Sequence, residues 1–296
     1  MIEYTDEVFT GERALFKAED VVVKNCTFED GESPLKEASN IEIYNCDFKW
    51  KYPLWYSKNI LIKDSVINEM GRAGIWYTDN ISVEDTVVIG PKNFRRCKGV
   101  KLTNVDFKDA QETLWNCQDV QMTNVEIKGD YIAMGSKNMV LNDVTIHGNY
   151  GFDGAENVEV RNSKLYMKDA FWNTENVCVY DSYIEGEYLG WNAKNLTLVN
   201  CTIKSLQGFC YIENLKLVNC KLEDTVLAFE YSSVDAEIVG KVDSVLNPKS
   251  GTIKADEIGT LMIVKDEVDP EKTKIYCDNV HRTIDFADFS EEEYHH

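Results

Sequence analysis

The chain has 296 residues with 51 acidic against 31 basic side chains, and its formal net charge of −20 repels nucleic acid and anionic membrane surfaces, so neither is expected as a partner. No apolar run approaches the length of a bilayer span, and Met1-Ile-Glu-Tyr-Thr-Asp-Glu-Val8 has neither the basic nor the apolar region of a secretory leader, which predicts a cytoplasmic protein. Nine cysteines without a Cys-x-x-Cys pair, and four histidines of which His295 and His296 read as a tag, argue against a metal site; no metal and no cofactor is expected.

Residues 1–19 match the repeat that follows them only in part, through Ala14-Leu-Phe-Lys-Ala18, and are expected to form an incomplete coil that caps the strand edges behind it. From residue 20 a nine-residue phrase recurs, in its clearest form Asn40-Ile-Glu-Ile-Tyr-Asn-Cys-Asp-Phe48, starting at 20, 40, 59, 80, 99, 119, 138, 157, 176, 195 and 214. A fixed period near twenty marks a solenoid whose repeats pack on their neighbours. Inside each phrase apolar and mixed positions alternate, the period of a half-buried strand. Aligning the copies gives inward columns: Val21, Ile41, Ile60, Ile81 and Val100 in one; Val23, Ile43, Ile62, Val83 and Leu102 in the next; Phe28, Phe48, Ile67, Val88 and Phe107 in a third; and Leu35, Leu54, Ile75, Phe94 and Leu114 in a fourth. No repeat carries a helix-spaced apolar stretch. The prediction for 20–232 is therefore an all-β parallel β-helix of about 11–12 coils of about 19–20 residues each.

Two further columns are Asn or Asp almost throughout, one led by Asn40, Asn59 and Asn80, the other by Asn25, Asn45 and Asp64. Both sit where strands end, and both residue types tolerate the left-handed conformation of a tight corner. Their amides are expected to stack along the axis as in cross-β ladders. Cys26 falls over Cys46, Cys97 over Cys117 and Cys201 over Cys220, one coil apart; the side chains run parallel, so they are expected to stay free thiols acting as small hydrophobes. Beyond residue 232 the phrase decays. Residues 233–296 are expected to hold degenerate coils, with strand-like Leu261-Met-Ile-Val264, and an acidic segment ending in Glu291-Glu-Glu293.

Four residues before each phrase stands a different column: Lys36, Trp55, Trp76, Arg95, Trp115, Asp153, Trp172 and Trp191 are members, and five of the six tryptophans fall in it. It follows the inward column of Leu54, Ile75 and Leu114, so alternation points it outward. The next position adds Tyr56, Tyr77 and Arg96, and Glu112 and Asp169 lie three residues upstream of Trp115 and Trp172. Exposed aromatics rimmed by hydrogen-bonding groups mark an interaction surface. A linear strip of them suits an oligosaccharide or polysaccharide.

Phe9-Thr-Gly-Glu-Arg-Ala-Leu-Phe16, Lys49-Trp-Lys-Tyr-Pro-Leu-Trp55, Arg72-Ala-Gly-Ile-Trp-Tyr77, Glu112-Thr-Leu-Trp115 and Asp169-Ala-Phe-Trp172 resemble the bacterial family known as domain of unknown function 3737, over nearly the whole chain. The resemblance implies a right-handed, pectate-lyase-like β-helix and brings no activity and no catalytic residues with it. Polysaccharide chemistry enters through the wider superfamily as an analogy of fold, which does not fix function.

The strip gives a ligand-binding set of Lys36, Trp55, Tyr56, Trp76, Tyr77, Arg96, Glu112, Trp115, Trp172 and Trp191. Asp153 and Asp169 are the carboxylates placed to act as an acid–base pair, at a backbone separation of ~11 Å that suits an inverting glycosidase better than a retaining one. Arg95, with Arg96, is placed to meet an anionic sugar. Hydrolase or lyase and non-catalytic binder stay level. The alternative is a structural or assembly role in which the C-terminal segment, with Leu261–Val264 as its cover, or a partner subunit of a homo-oligomer buries the strip.

Overall fold

The computed structural model describes residues 2–285, so the tag-like His295 and His296 and the acidic run Glu291–Glu293 lie outside the described residues. Nearly all regular structure is parallel strand, interrupted among the described residues by two short 3-10 turns, Glu69–Gly71 and Pro270–Lys272. The result is an all-β parallel solenoid with about 15 turns, more than the eleven or twelve that the phrase marks. Among the described residues those turns are distributed over two compact units that divide between Glu159 and Val160.

In the first unit the strands Glu19–Lys24, Ser39–Tyr44, Lys58–Lys63, Asp79–Val88 and Lys98–Phe107 pair in the register of the columns, Val21 to Ile41, Ile60, Ile81 and Val100. Ile2–Thr5 pairs ahead of them, Ile2 beside Val21. The inward residues are buried and the alternating ones, Val22 apart, are not, which is the period-two pattern with one face sealed. Neighbouring rungs bring like side chains into contact, as where Phe28 stacks on Phe48 with ring centres 4.7 Å apart.

The corners form where the amides stand. Asn40, Asn59 and Asn80 have φ of 56°, 56° and 55°, and each donates from Nδ2 to the Oδ1 of the residue one rung below, at 2.9 Å to Asp20, 2.9 Å to Asn40 and 3.1 Å to Asn59. Gly99 takes the next place in that corner at φ 69°; a Cβ there would stand 2.9 Å from Asn80 Oδ1. A further corner mixes residue types: Tyr56, Tyr77 and Arg96 have φ of 57°, 54° and 49°, and Asn116, Asn173 and Asn192 take the same corner on later rungs at 52°, 52° and 58°. Phe94 and Leu114, fully buried, are also left-handed at 56° and 60°, a conformation that bulky residues adopt only when their surroundings impose it.

In the second unit Glu175–Tyr180, Lys194–Val199 and Glu213–Val226 pair in a ladder of the same kind, Val177 to Leu196 to Leu215. On Ser233–Ile238, Ser250–Ile263 and Thr273–Asp285 the neighbouring column runs on from Leu217 through Ala236, Ile253 and Ile275. Leu261 and Met262 pair with Val245 and Leu246, so Leu261-Met-Ile-Val264, the candidate cover of the aromatic strip, is largely a rung of the solenoid instead. A register shift between Lys204 and Leu206 precedes Phe229, which stacks on Phe209 in the core at 5.7 Å and does not prolong the outward column. All nine cysteines are free. Burial pushes the Cys46 thiol up to about 11, and the thiol of Cys26 donates to Lys24 O at 3.1 Å.

Candidate functional site

The outward column of the first unit is a self-stacked ladder. Trp55 and Trp76 lie face to face with ring centres 5.0 Å apart and planes 5° from parallel. Beside them Tyr56 and Tyr77 stack at 4.7 Å and 2°. Arg95 takes the next rung, its guanidinium carbon 5.0 Å from the Trp76 centroid and 4.4 Å from that of Trp115. Each indole is tied edgewise to backbone: Trp55 Nε1 donates to Ala73 O at 2.6 Å, Trp76 Nε1 to Lys92 O at 2.8 Å and Trp115 Nε1 to Tyr131 O at 2.5 Å. Ring faces that a sugar would stack on are thus occupied by the neighbouring rung. What reaches solvent is mainly ring edge.

The charged members of this column are similarly engaged. Arg95 pairs with Glu112, to which Lys92 Nζ also comes within 3.3 Å, so Arg95 is held by two rings and a carboxylate and its Nε is buried without a partner. Arg96 is exposed and lies 5.9 Å from the Tyr77 centroid; Lys36 Nζ lies 5.8 Å from that of Tyr56. Asp153 is half-buried, and its backbone carbonyl accepts from Gly135 N–H at 2.8 Å.

Asp169, the other proposed carboxylate, belongs to the second unit and is 2 % exposed, with Oδ1 buried and lacking a hydrogen-bond partner. Burial raises its pKa, with Lys168 opposing and Glu187 adding to the shift. A carboxylate so enclosed is poorly placed to reach a substrate. Around it the aromatics are arranged differently from those of the first unit: Trp172 to Trp191, Trp191 to Tyr211 and Tyr211 to Tyr231 lie 6.1, 4.9 and 5.3 Å apart at interplanar angles of 41°, 42° and 39°. Tilted rings leave part of each face uncovered. Tyr211 is 43 % exposed.

Tyr211 and Tyr231 form one side of a cleft of about 830 Å³, which Asn192, Lys194, Glu213, Ser233, Lys249 and Ser250 also line. Its far wall is the loop after Ile263, through Glu267, Asp269 and Lys272. That loop is pinned by two residues. Glu267 Oε2 accepts from Tyr231 Oη–H and, at 2.8 Å, from Asn247 Nδ2, while Asn247 Oδ1 accepts from Val264 N–H at 2.7 Å. Burial and the bond to Glu267 both raise the Tyr231 pKa. Tyr231, Asn247, Lys249 and Glu267 are site residues that the repeat did not flag, because they fall after the register shift, where the columns no longer predict neighbours.

The family described as "Protein of unknown function (DUF3737)" matches residues 2–276. The chain belongs to this family. No curated protein matches it. Among solved structures, the DUF3737 chain is similar to the Streptococcus pneumoniae surface protein and adhesin PfbA, at 10 % identity over 95 % of this chain and 88 % of that one with a TM-score of 0.37. It is similar to a hyperthermoactive exopolygalacturonase from Thermotoga maritima, at 10 % identity over 95 % and 83 % with a TM-score of 0.36. A tailspike protein of E. coli bacteriophage HK620, in complex with a hexasaccharide, aligns at 8 % identity over 95 % and 73 % with a TM-score of 0.38. None of these likenesses assigns a role to a residue of this chain.

Proposed function

We propose that the protein binds an oligosaccharide or a stretch of polysaccharide in the cleft of its second unit, with Tyr211 and Tyr231 as the stacking surface and Trp191 behind them. The observation that carries this reading is the contrast between the two aromatic columns: rungs of the first are stacked nearly parallel, whereas those of the second are tilted by about 40° and lead into a cleft. A volume of about 830 Å³ lies in the range of small-ligand sites, where a few polar groups fix orientation against aromatic walls. Each cleft carboxylate has a partner, Glu213 in Lys194 at 4.0 Å, Asp269 in Lys272 at 3.7 Å, and Glu267 in Tyr231 and Asn247. This favours holding a ligand over transforming it. In the first unit, Trp55, Trp76, Arg95 and Trp115 serve the fold.

Tyr211→Ala removes a partly exposed ring and is expected to weaken oligosaccharide binding about tenfold, the effect of one lost stacking contact, measured by isothermal titration with the unfolding midpoint as control. Trp76→Ala, in the first unit, is expected to lower the unfolding midpoint and leave the affinity within about twofold. The reverse pattern, with Trp76→Ala abolishing binding and Tyr211→Ala silent, would move the site to the first unit.

A further inference from the structure

Resting on that reading of the cleft, we infer that its ligand is an uncharged glycan and that chains of acidic sugars are excluded. The cleft is electrically balanced. Three ammonium groups, Lys194, Lys249 and Lys272, face three carboxylates, Glu213, Glu267 and Asp269, and two of the lysines are already paired at 4.0 and 3.7 Å. Lys249 alone has no ion pair among the described residues. One uncommitted lysine is a weak anchor for a chain bearing a charge on every sugar, because the molecule around it has a net charge of −20 and repels such a chain before contact.

The first unit supplies no substitute. Arg95, which the sequence offers as an anion clamp, has both faces covered by Trp76 and Trp115 and its charge spent on Glu112. What the cleft does offer matches hydroxyl groups, which donate and accept at once. Asn192 Nδ2 donates to Asn173 Oδ1 at 2.8 Å, and the next rung carries Tyr211 in place of an amide, which leaves Asn192 Oδ1 as an acceptor on the cleft wall. Ser233 Oγ accepts from Asn214 N–H at 2.8 Å, which leaves its own proton to donate. Lys249 adds a donor, and the carboxylates of Glu213 and Asp269 retain acceptor sites beyond their ion pairs. Such a mixture, set against Tyr211 and Tyr231, discriminates by hydroxyl pattern.

The test is titration calorimetry of the full chain with two sets of linear hexasaccharides, neutral ones built of glucose, xylose and mannose and acidic ones built of galacturonate and mannuronate, at about 20 and 500 mM NaCl. The expected result is binding of at least one neutral hexamer with a Kd that changes less than about twofold between the two salts, about tenfold weakening of that binding in Tyr211→Ala, and no heat from either acidic hexamer at low salt. Binding of an acidic hexamer that weakens tenfold or more at high salt overturns the inference and leaves the oligosaccharide site standing. Silence from both sets overturns the inference together with the reading it rests on.

Discussion

Arg95 stands in a tryptophan's place in its column, and its chemistry follows from the neighbours above and below it. A planar guanidinium between two indoles keeps the stack unbroken where a ring is missing, and its ion pair with Glu112 fixes its rotation. Arg95→Ala is expected to destabilise the protein by about 2 kcal/mol in urea unfolding, with Arg95→Lys recovering less than half because an ammonium has no plane to stack. The exposed Arg96→Ala should stay within about 0.5 kcal/mol. A loss below that for Arg95→Ala would mean that the sandwich contributes nothing. Alternation in the sequence located this column and its outward direction, yet it is silent on ring orientation, so the face-to-face self-stacking was not legible. Asp169 illustrates a second gap: its residue type suggested acid–base work, but burial decides its state. Its folded pKa is raised, so between the unfolded and folded values the native state holds more protons and stability falls as pH rises. Asp169→Asn is expected to flatten that fall, leaving the variant the more stable of the two near pH 7 and not below the ordinary carboxylate range; an unchanged pH slope in thermal melts would refute the assignment.

Strands and corners are the level at which this sequence speaks most plainly. Side-chain period and coil length together dictate which residues become rungs, and Ile81 sits between Ile60 and Val100 in the register the columns imply, 1 % exposed. Ile81→Asp places an unpaired charge there and is expected to cost about 3–5 kcal/mol or to prevent folding, whereas the outward Ser82→Thr should shift stability by less than about 0.5 kcal/mol. Equal melting shifts for the two would invert the in/out assignment. Asn corners were legible because a short polar side chain both accepts the left-handed conformation and bonds to its counterpart one rung away. The corner at Tyr56, Tyr77 and Arg96 was not, since its amides, Asn116, Asn173 and Asn192, share the column with Tyr and Arg, residue types that do not favour φ near 50°; the winding of adjacent rungs imposes it there. The register shift near Leu206 was hidden for a related reason: it falls between phrases, where no column marks the alignment.

Taken whole, the molecule has about 15 turns where the phrase counts eleven or twelve, because outer coils need only present a strand to the open edge of the coil beside them and can do so without the Asn signature, as Ile2–Thr5 and Thr273–Asp285 do. The loop that walls the cleft lies in the stretch that sequence reading left as degenerate, and its anchors, Glu267 and Asn247, meet only through the fold. Charge acts at this scale too. Ion pairs between rungs, such as Lys49 with Glu29 at 2.7 Å and Lys137 with Glu156 at 2.8 Å, are solvent-exposed and each is worth about 0–1 kcal/mol. They use up cations that a chain with a net charge of −20 has in short supply, and the excess carboxylates repel one another across rungs only ~4.8 Å apart. Raising NaCl from about 20 to 500 mM shortens the screening length from about 20 Å to about 4 Å, which weakens the many longer repulsions more than the few direct pairs. The unfolding temperature is therefore expected to rise by several degrees across that range in differential scanning calorimetry. A fall would mean that the rung-to-rung ion pairs outweigh the repulsion among the surplus acidic groups.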